Sequence, residues 1–192
     1  MEKDRLLAFS DGVIAIIITI MVLELKVPHG ADLAALEGVT PVFLSYVLSF
    51  VYVGIYWNNH HHLFHVVRRV DGAMLWANLH LLFWLSLIPF ATAWMGENHF
   101  APLPTALYGF ALLMPAVAWQ ILQLAILRSH GRDSPLARAL GRDLKGKLSP
   151  VLYFAGILLA FADARVAGAL YVLVALIWLV PDRRIERMLR RA

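Results

Sequence analysis

The chain has 192 residues, of which 60% are hydrophobic and only 16% charged, and its mean hydropathy is +0.69. Soluble globular domains are about half apolar and about a quarter charged, so this composition excludes a soluble protein and indicates lipid as the natural solvent. The formal net charge is +4, but the basic residues flank apolar runs and do not cluster on a polar surface, so nucleic acid is not an expected partner. The absence of cysteine excludes disulfides, thiolate metal sites and cysteine nucleophiles.

Apolar runs along the chain predict six transmembrane helices, because about 20 apolar residues cross a bilayer core. The predicted spans are 6–27, 41–63, 73–95, 104–127, 148–162 and 166–180. The last two are short, yet each reaches most of the way across as a helix. We therefore expect an all-α, polytopic membrane protein that forms one six-helix domain over residues 1–192, ending in a basic cytoplasmic tail over 183–192.

Lysine and arginine residues orient the predicted spans, because cytoplasmic loops are enriched in them. If six spans alternate in direction, 15 of the 17 basic residues lie on one side: Lys3, Arg5, Arg68, Arg69, Arg128, Arg132, Arg138, Arg142, Lys145, Lys147, Arg183, Arg184, Arg187, Arg190 and Arg191. Only Lys26 and Arg165 lie on the other side. Both termini are therefore expected in the cytoplasm, and the basic loops are expected to contact anionic lipid headgroups.

Polar side chains near the cytoplasmic ends of the first three spans form a predicted polar layer. Ionisable groups inside a membrane are costly, so each one marks a candidate functional position. With a rise of 1.5 Å per residue, Asp11, the histidines from His60 to His62, and Asn78 lie at similar depth. Three interpretations stay open: a hydrogen-bonded clamp between helices, a proton relay or pH sensor, and a metal or haem site built from His60, His61, His62, His65 and His80.

The first span also carries a stripe with helical periodicity. Its residues follow one another at i, i+3, i+4 and i+7: Ile16, Thr19, Ile20 and Leu23. A second face of the same helix is expected to pack against neighbouring helices: Asp11, Ala15, Ile18 and Val22. By pattern alone the stripe fits lipid contact, packing or the lining of a pore.

The segment Arg5–Asp11 reads R-L-L-A-F-S-D, which resembles the R-x-x-x-F-S-D signature that opens the first helix of the transmembrane protein 175 family of potassium channels. The similarity continues in the second and third spans through Trp57, His60, His61, Trp76, Asn78, Leu79, Phe83, Pro89 and Phe90. These motifs cover about the first half of the chain, while the last three spans agree in number and length only.

This resemblance implies a bacterial-type subunit with one six-span repeat, located in the bacterial plasma membrane and assembling as a homotetramer around four copies of the first helix. It implies a main constriction at Ile16, a potassium preference at Thr19, and further apolar layers at Ile20 and Leu23. No cofactor is implied besides potassium as the permeant ion. We assign the polar layer to a clamp that orients the pore helix, with these members: Arg5, Phe9, Ser10, Asp11, His60, His61, Trp76 and Asn78.

We therefore expect a potassium-permeable channel and not an enzyme. The chain has nothing like a T-V-G-Y-G filter, and apolar constrictions gate by dewetting, so the expected preference for potassium over sodium is modest. Two alternatives from other classes remain. One is a membrane oxidoreductase or metalloprotein that uses the histidines, and the other is a proton-coupled transporter that uses Asp11 and the histidines.

Overall fold

A computed structural model describes residues 2–65, 67, 69–130 and 144–179, and these residues form an all-α fold. The helices are α1 (Lys3–Met21), α2 (Leu33–Glu37), α3 (Thr40–His65), α4 (Gly72–Ser86), α5 (Ile88–Glu97), α6 (Pro102–His130), α7 (Leu144–Leu159) and α8 (Ala164–Leu179). A short 3-10 turn, Val22–Glu24, extends α1. The predicted basic tail over 183–192 lies outside the described residues.

Four stretches of the described chain are long and apolar enough to cross a membrane: Lys3–Glu24, Thr40–His65, Gly72–Glu97 and Pro102–Ser129. They coincide with the first four predicted spans. The fifth and sixth predicted spans correspond to α7 and α8, which are helices of 16 residues each. Their apolar character continues around much of each surface, as expected for short membrane-embedded helices.

The third predicted span is interrupted, which the hydropathy pattern did not predict. Its two helices, α4 and α5, meet at Leu87, two residues before Pro89. Proline has no backbone N–H and its ring collides with the carbonyl four residues earlier, which favours a break in the helix at this position. The Leu87 N–H instead bonds to the Trp84 carbonyl at 3.2 Å. By contrast, α6 continues through Pro115 without a break.

The helices pack around two apolar cores that share α3, α5 and α6. The first core joins α1, α3, α4, α5 and α6 through residues such as Ile14, Leu63 and Leu122. The second joins α3, α5, α6, α7 and α8 and is rich in tyrosine and alanine. Helix α1 packs against α3, α4 and α5, so the peripheral helices α7 and α8 support it only indirectly.

Tyr171 of α8 fixes the second core by filling a slot between two glycines. Its side chain is buried, and a Cβ added at Gly109 of α6 or at Gly156 of α7 would overlap the Tyr171 side chain. The hydroxyl of Tyr171 donates to the Thr105 carbonyl at 3.4 Å. Glycine at these positions therefore lets three helices approach closely.

We predict that Gly156→Ala lowers the free energy of unfolding by about 1–3 kcal/mol, the usual effect of overpacking a well-filled core. The matched control is Gly168→Ala in α8, where an added Cβ meets no atom within 4 Å. Alanine there is expected to be neutral or to stabilise the helix by up to about 1 kcal/mol. Thermal unfolding of the purified protein in detergent checks both variants, and equal Tm values for the two would contradict the packing argument.

Candidate ion pathway

Helix α1 has one face that none of the described residues of its own chain covers. Ile16 is 64% exposed and Leu23 is 74% exposed, and Thr19 and Ile20 are exposed between them. The opposite face is buried against the neighbouring helices through Leu6, Ser10, Ile14, Ile17 and Met21. The expected packing face of Asp11, Ala15, Ile18 and Val22 was wrong for Ala15 and Val22, which are exposed, whereas Ile18 packs against the first core and Asp11 is half-buried. The centre of the buried face lies about a third of a turn away from these four residues.

The uncovered face continues towards the amino end of α1. Gly12, Phe9 and Arg5 precede Ile16 at intervals of three or four residues, and all three are exposed. We call the whole set the open face of α1: Arg5, Phe9, Gly12, Ile16, Thr19, Ile20 and Leu23. A Cβ added at Gly12 would meet nothing within 4 Å. The open face therefore has its smallest residue one turn before Ile16.

The hydroxyl of Thr19 is oriented by its own helix. Its Oγ1–H donates to the carbonyl of Ala15 at 2.9 Å, with the carbonyl of Ile16 at 3.1 Å as a second acceptor. Because the proton is directed to the backbone, the remaining lone pairs of the oxygen are available to a cation or a hydrogen-bond donor. An exposed Thr19 therefore presents oxygen, and not hydrogen, beyond the helix surface.

A directed chain of hydrogen bonds joins α1 to α3 and α4 in the polar layer. Ser10 Oγ donates to the Leu6 carbonyl at 2.8 Å, so it accepts from Asn78 Nδ2 at 2.9 Å. The Asn78 carbonyl oxygen then faces His60 Nε2 at 2.8 Å. An amide oxygen only accepts, so Nε2 carries the proton, and the tautomer of His60 follows from the chain.

This chain lies in the interior of the subunit. Ser10, His60 and Asn78 are fully buried, and the other ring nitrogen of His60, Nδ1, has no hydrogen-bond partner. The His60 ring instead packs against Phe64, with 4.6 Å between ring centroids. The arrangement fits a neutral imidazole. A proton on Nδ1 would create a buried N–H that has no acceptor, which is unfavourable.

The hydrogen-bond partner of Asp11 is a tryptophan. Asp11 Oδ1 accepts from Trp57 Nε1 of α3 at 3.1 Å, and not from a histidine or asparagine. Trp57 belongs to the motifs that carry the family resemblance, and its position one turn before His61 was the available signal. The bond adds a second link between α1 and α3 at the rim of the buried chain.

The remaining predicted members of the polar layer lie at the surface of the subunit. Arg5, Phe9, His61 and Trp76 are exposed, and no hydrogen bond links them to Ser10, His60 or Asn78. Trp76 starts an exposed apolar line that runs along α4 and α5. We call it the aromatic line: Trp76, Leu79, Phe83 and Phe90.

The histidine cluster does not form a ligand set within the described residues. His60 is committed to Asn78, whereas His61, His62 and His65 lie in sequence on the last turns of α3 with ring centroids about 6 Å apart. Among the described residues, no group of three His, Asp or Glu side chains could hold a metal ion. His80 accepts a hydrogen bond from Trp84 Nε1 at 2.8 Å.

An ion pair joins the far end of α1 to the end of α5. Lys26 Nζ lies 2.6 Å from Glu97 Oε1. The hydrogen bond and the negative charge of Glu97 raise the pKa of Lys26 above its ordinary value, so this lysine keeps its charge at neutral pH. Both side chains are largely exposed, so the pair contributes little to stability.

Comparison with known proteins points to one family. Residues 5–89 match the family described as the endosomal/lysosomal potassium channel TMEM175. A potassium channel of Chryseobacterium sp. is 56% identical over 190 residues, which cover 99% of each chain. The crystal structure of a lysosomal potassium-selective channel TMEM175 homolog from Chamaesiphon minutus superposes with a TM-score of 0.81 at 28% identity, covering 93% of this chain and 97% of that one.

A human relative is more distant and much longer. The endosomal/lysosomal proton channel TMEM175 of Homo sapiens is 38% identical over 103 residues, which cover 47% of this chain and 20% of the human protein. The bacterial relative and the solved structure match nearly the whole chain. The similarity therefore extends through the last three predicted spans, where the motifs alone did not reach.

Proposed function

We propose, from the premise that this chain belongs to the TMEM175 family of ion channels, that it is a potassium-permeable channel whose pore is lined by the open face of α1. The chain is an integral membrane protein, and as a member of a channel family it is not an enzyme and needs no cofactor. This membership removes the histidine-based oxidoreductase from consideration.

The observation that carries the proposal is the open face itself. Helix α1 packs against three neighbouring helices, yet Ile16, Thr19 and Leu23 lie uncovered along one side of it. A surface that only contacts lipid does not need the outward-directed hydroxyl oxygen of Thr19 or the missing side chain of Gly12. In a pore, the Thr19 oxygen would bind the ion and Gly12 would widen the passage.

The subunit offers a surface for forming a homotetramer around that pore. The aromatic line on α4 and α5 is exposed in the subunit, with Trp76 at 76% and Phe90 at 65%. Large aromatic side chains are enriched where subunits meet. We propose that the aromatic line of each subunit packs against a different surface of the neighbouring subunit around a four-fold axis. Such a head-to-tail contact closes into a ring.

The proposed conduction mechanism follows from the side chains in the open face. Four copies of Ile16 form the main constriction, and Ile20 and Leu23 form further apolar rings that stop ion flow when they dewet. An ion that passes them must shed water, so the ion with the weaker hydration shell, potassium, passes more readily than sodium. Thr19 oxygens replace part of that shell, which gives modest selectivity.

We further propose that both termini face the cytoplasm and that the protein resides in the bacterial plasma membrane. The distribution of lysine and arginine supports this orientation, because 15 of the 17 basic residues lie on one side of six alternating spans. The same residues would contact anionic headgroups. The Lys26–Glu97 pair then lies at the outer end of the pore helix.

We predict that Thr19→Ala lowers the permeability ratio of potassium to sodium. If losing the hydroxyl oxygens reduces the difference between the potassium and sodium barriers by about 0.5–1.5 kcal/mol in total, about the worth of one hydrogen bond, the ratio falls roughly two- to tenfold. The control is Thr40→Ala, since the Thr40 hydroxyl likewise donates to a backbone carbonyl four residues earlier, that of Leu36 at 3.1 Å, away from the open face. Reversal potentials under bi-ionic conditions measure the ratio, and an unchanged ratio in Thr19→Ala removes the residue from the filter.

Flux measurements in liposomes test the proposed function as a whole. Purified protein in vesicles with a potassium gradient is expected to give potassium flux that does not saturate at low concentration and needs no pH gradient. Saturable flux that depends on a pH gradient would instead support the proton-coupled transporter. A current whose reversal potential follows pH alone would assign proton permeation, as the name of the human relative describes for that protein.

A further inference from the structure

A small cavity lies between helices of the subunit, away from the open face of α1. It has a volume of about 30 Å³ and lies where α3, α6, α7 and α8 meet. The polar residues that line it are Tyr52, Tyr56, Asn59, Trp119, Ser149, Tyr153 and Trp178. A cavity needs only about 10–15 Å³ of such space to hold one water molecule.

Two tryptophans in the cavity wall differ in their hydrogen bonding. Trp178 Nε1 donates to Ser149 Oγ at 2.8 Å, and Ser149 donates onward to the Lys145 carbonyl. Trp119 is 6% exposed, and its Nε1–H has no hydrogen-bond partner. A buried donor without an acceptor is unfavourable by about 1–3 kcal/mol, so an acceptor is expected at Trp119.

The remaining wall supplies the other partners that a water molecule needs. Asn59 Nδ2 donates to the Ile55 carbonyl at 2.9 Å, which leaves its carbonyl oxygen directed elsewhere. Tyr56 packs edge-on against Trp119, with 6.3 Å between ring centroids, and its hydroxyl either donates or accepts. Buried waters make about three hydrogen bonds to groups of this kind.

We infer that this cavity is a hydration site that binds one ordered water molecule, which accepts from Trp119 Nε1–H and donates to the Asn59 carbonyl oxygen. The water links α3 to α6. On α3, Asn59 directly precedes His60, which bonds to Asn78 of α4, and Asn78 in turn bonds to Ser10 of α1. The site therefore links α6 to the same turn of α3 from which this chain of hydrogen bonds starts.

The direct test is a map of the assembled channel in lipid at a resolution that shows ordered water. The expected result is a density peak within hydrogen-bond distance of both Trp119 Nε1 and Asn59 Oδ1. In Trp119→Phe the peak is expected to disappear, whereas in Trp178→Phe, which removes a satisfied donor from the same wall, it is expected to remain. An empty cavity in the unmodified protein would overturn the inference.

Xenon provides a second test that does not depend on a variant. Dry apolar cavities bind xenon, whereas hydrated polar cavities do not. Crystals pressurised with xenon are expected to show no xenon peak between Trp119 and Asn59, and a peak there would contradict a bound water.

A stability comparison distinguishes a role of Asn59 at the cavity from the general effect of replacing an asparagine on this part of α3. Asn59→Leu removes the acceptor and is expected to shift Tm downward more than Asn58→Leu, because Asn58 is exposed and does not line the cavity. Equal shifts in the two variants would contradict the assigned role of Asn59.

Discussion

Replacing Ile16 by asparagine is expected to raise resting potassium flux at least about tenfold, which corresponds to removing about 1.4 kcal/mol from the barrier to conduction. Ile16 is 64% exposed on the open face of α1, and in a tetramer four copies would face one another. An apolar ring favours the loss of water from a narrow pore, whereas four amides hold water by hydrogen bonding and keep the constriction wet. Potassium efflux from liposomes measures the change.

The matched control for this prediction is Val22→Asn. Val22 lies on α1's continuation and is 45% exposed, but its direction from the helix axis differs from that of Ile16 by about 120°. It is expected to change flux less than twofold, about 0.4 kcal/mol. Equal increases in both variants would indicate general damage to α1, and no increase in Ile16→Asn would remove the constriction from this position.

Replacing Asn78 by leucine is expected to destabilise the protein and loosen the pore helix together. Asn78 accepts from His60 and donates to Ser10 inside the subunit. Without it the buried His60 N–H has no acceptor, and a buried group left unpaired costs about 1–3 kcal/mol. Since the chain of bonds ends on the Leu6 carbonyl of α1, we also expect a lower potassium to sodium ratio, measured on the same preparation as Tm.

A double substitution distinguishes the lost hydrogen bond from lost packing. Replacing both partners by apolar side chains removes the unpaired group, so His60→Leu combined with Asn78→Leu is expected to be more stable than Asn78→Leu alone. The coupling energy for residues in one network is typically about 0.5–3 kcal/mol. A loss of stability in the double variant that equals the sum of the losses in the two single variants would contradict the directed chain of hydrogen bonds.

The open face of α1 was accessible from the sequence because a helix repeats every 3.6 residues. Ile16, Thr19, Ile20 and Leu23 share one side by spacing alone, and the structure places all four on the exposed side. Which of the flanking faces packs against other helices was not accessible in the same way. Apolar residues surround most of α1, so Ile14 and Ile16 are equivalent on a hydropathy scale although only Ile14 is buried.

Contacts between distant parts of the chain account for the rest. The pairing of Asp11 with Trp57 depends on how α1 rotates against α3, which no local pattern encodes. The slot that receives Tyr171 needs Gly109 and Gly156 at matched heights on two helices. The break at Leu87 had a local signal in Pro89, but Pro115 carries the same signal and α6 continues through it. In each case, packing decided between alternatives that the sequence allowed.

A cysteine scan of α1 tests most directly the claim that its open face lines the pore. The natural chain contains no cysteine, so single substitutions introduce the only thiol, and silver ions enter a cation pore and bind thiolates. Silver is expected to block potassium flux in Ile16→Cys, Thr19→Cys, Ile20→Cys and Leu23→Cys. It is expected to leave flux unchanged in Ile14→Cys, Ile17→Cys and Met21→Cys, whose native side chains are buried. Block at the buried set, or at none of these positions, would contradict a pore lined by this face.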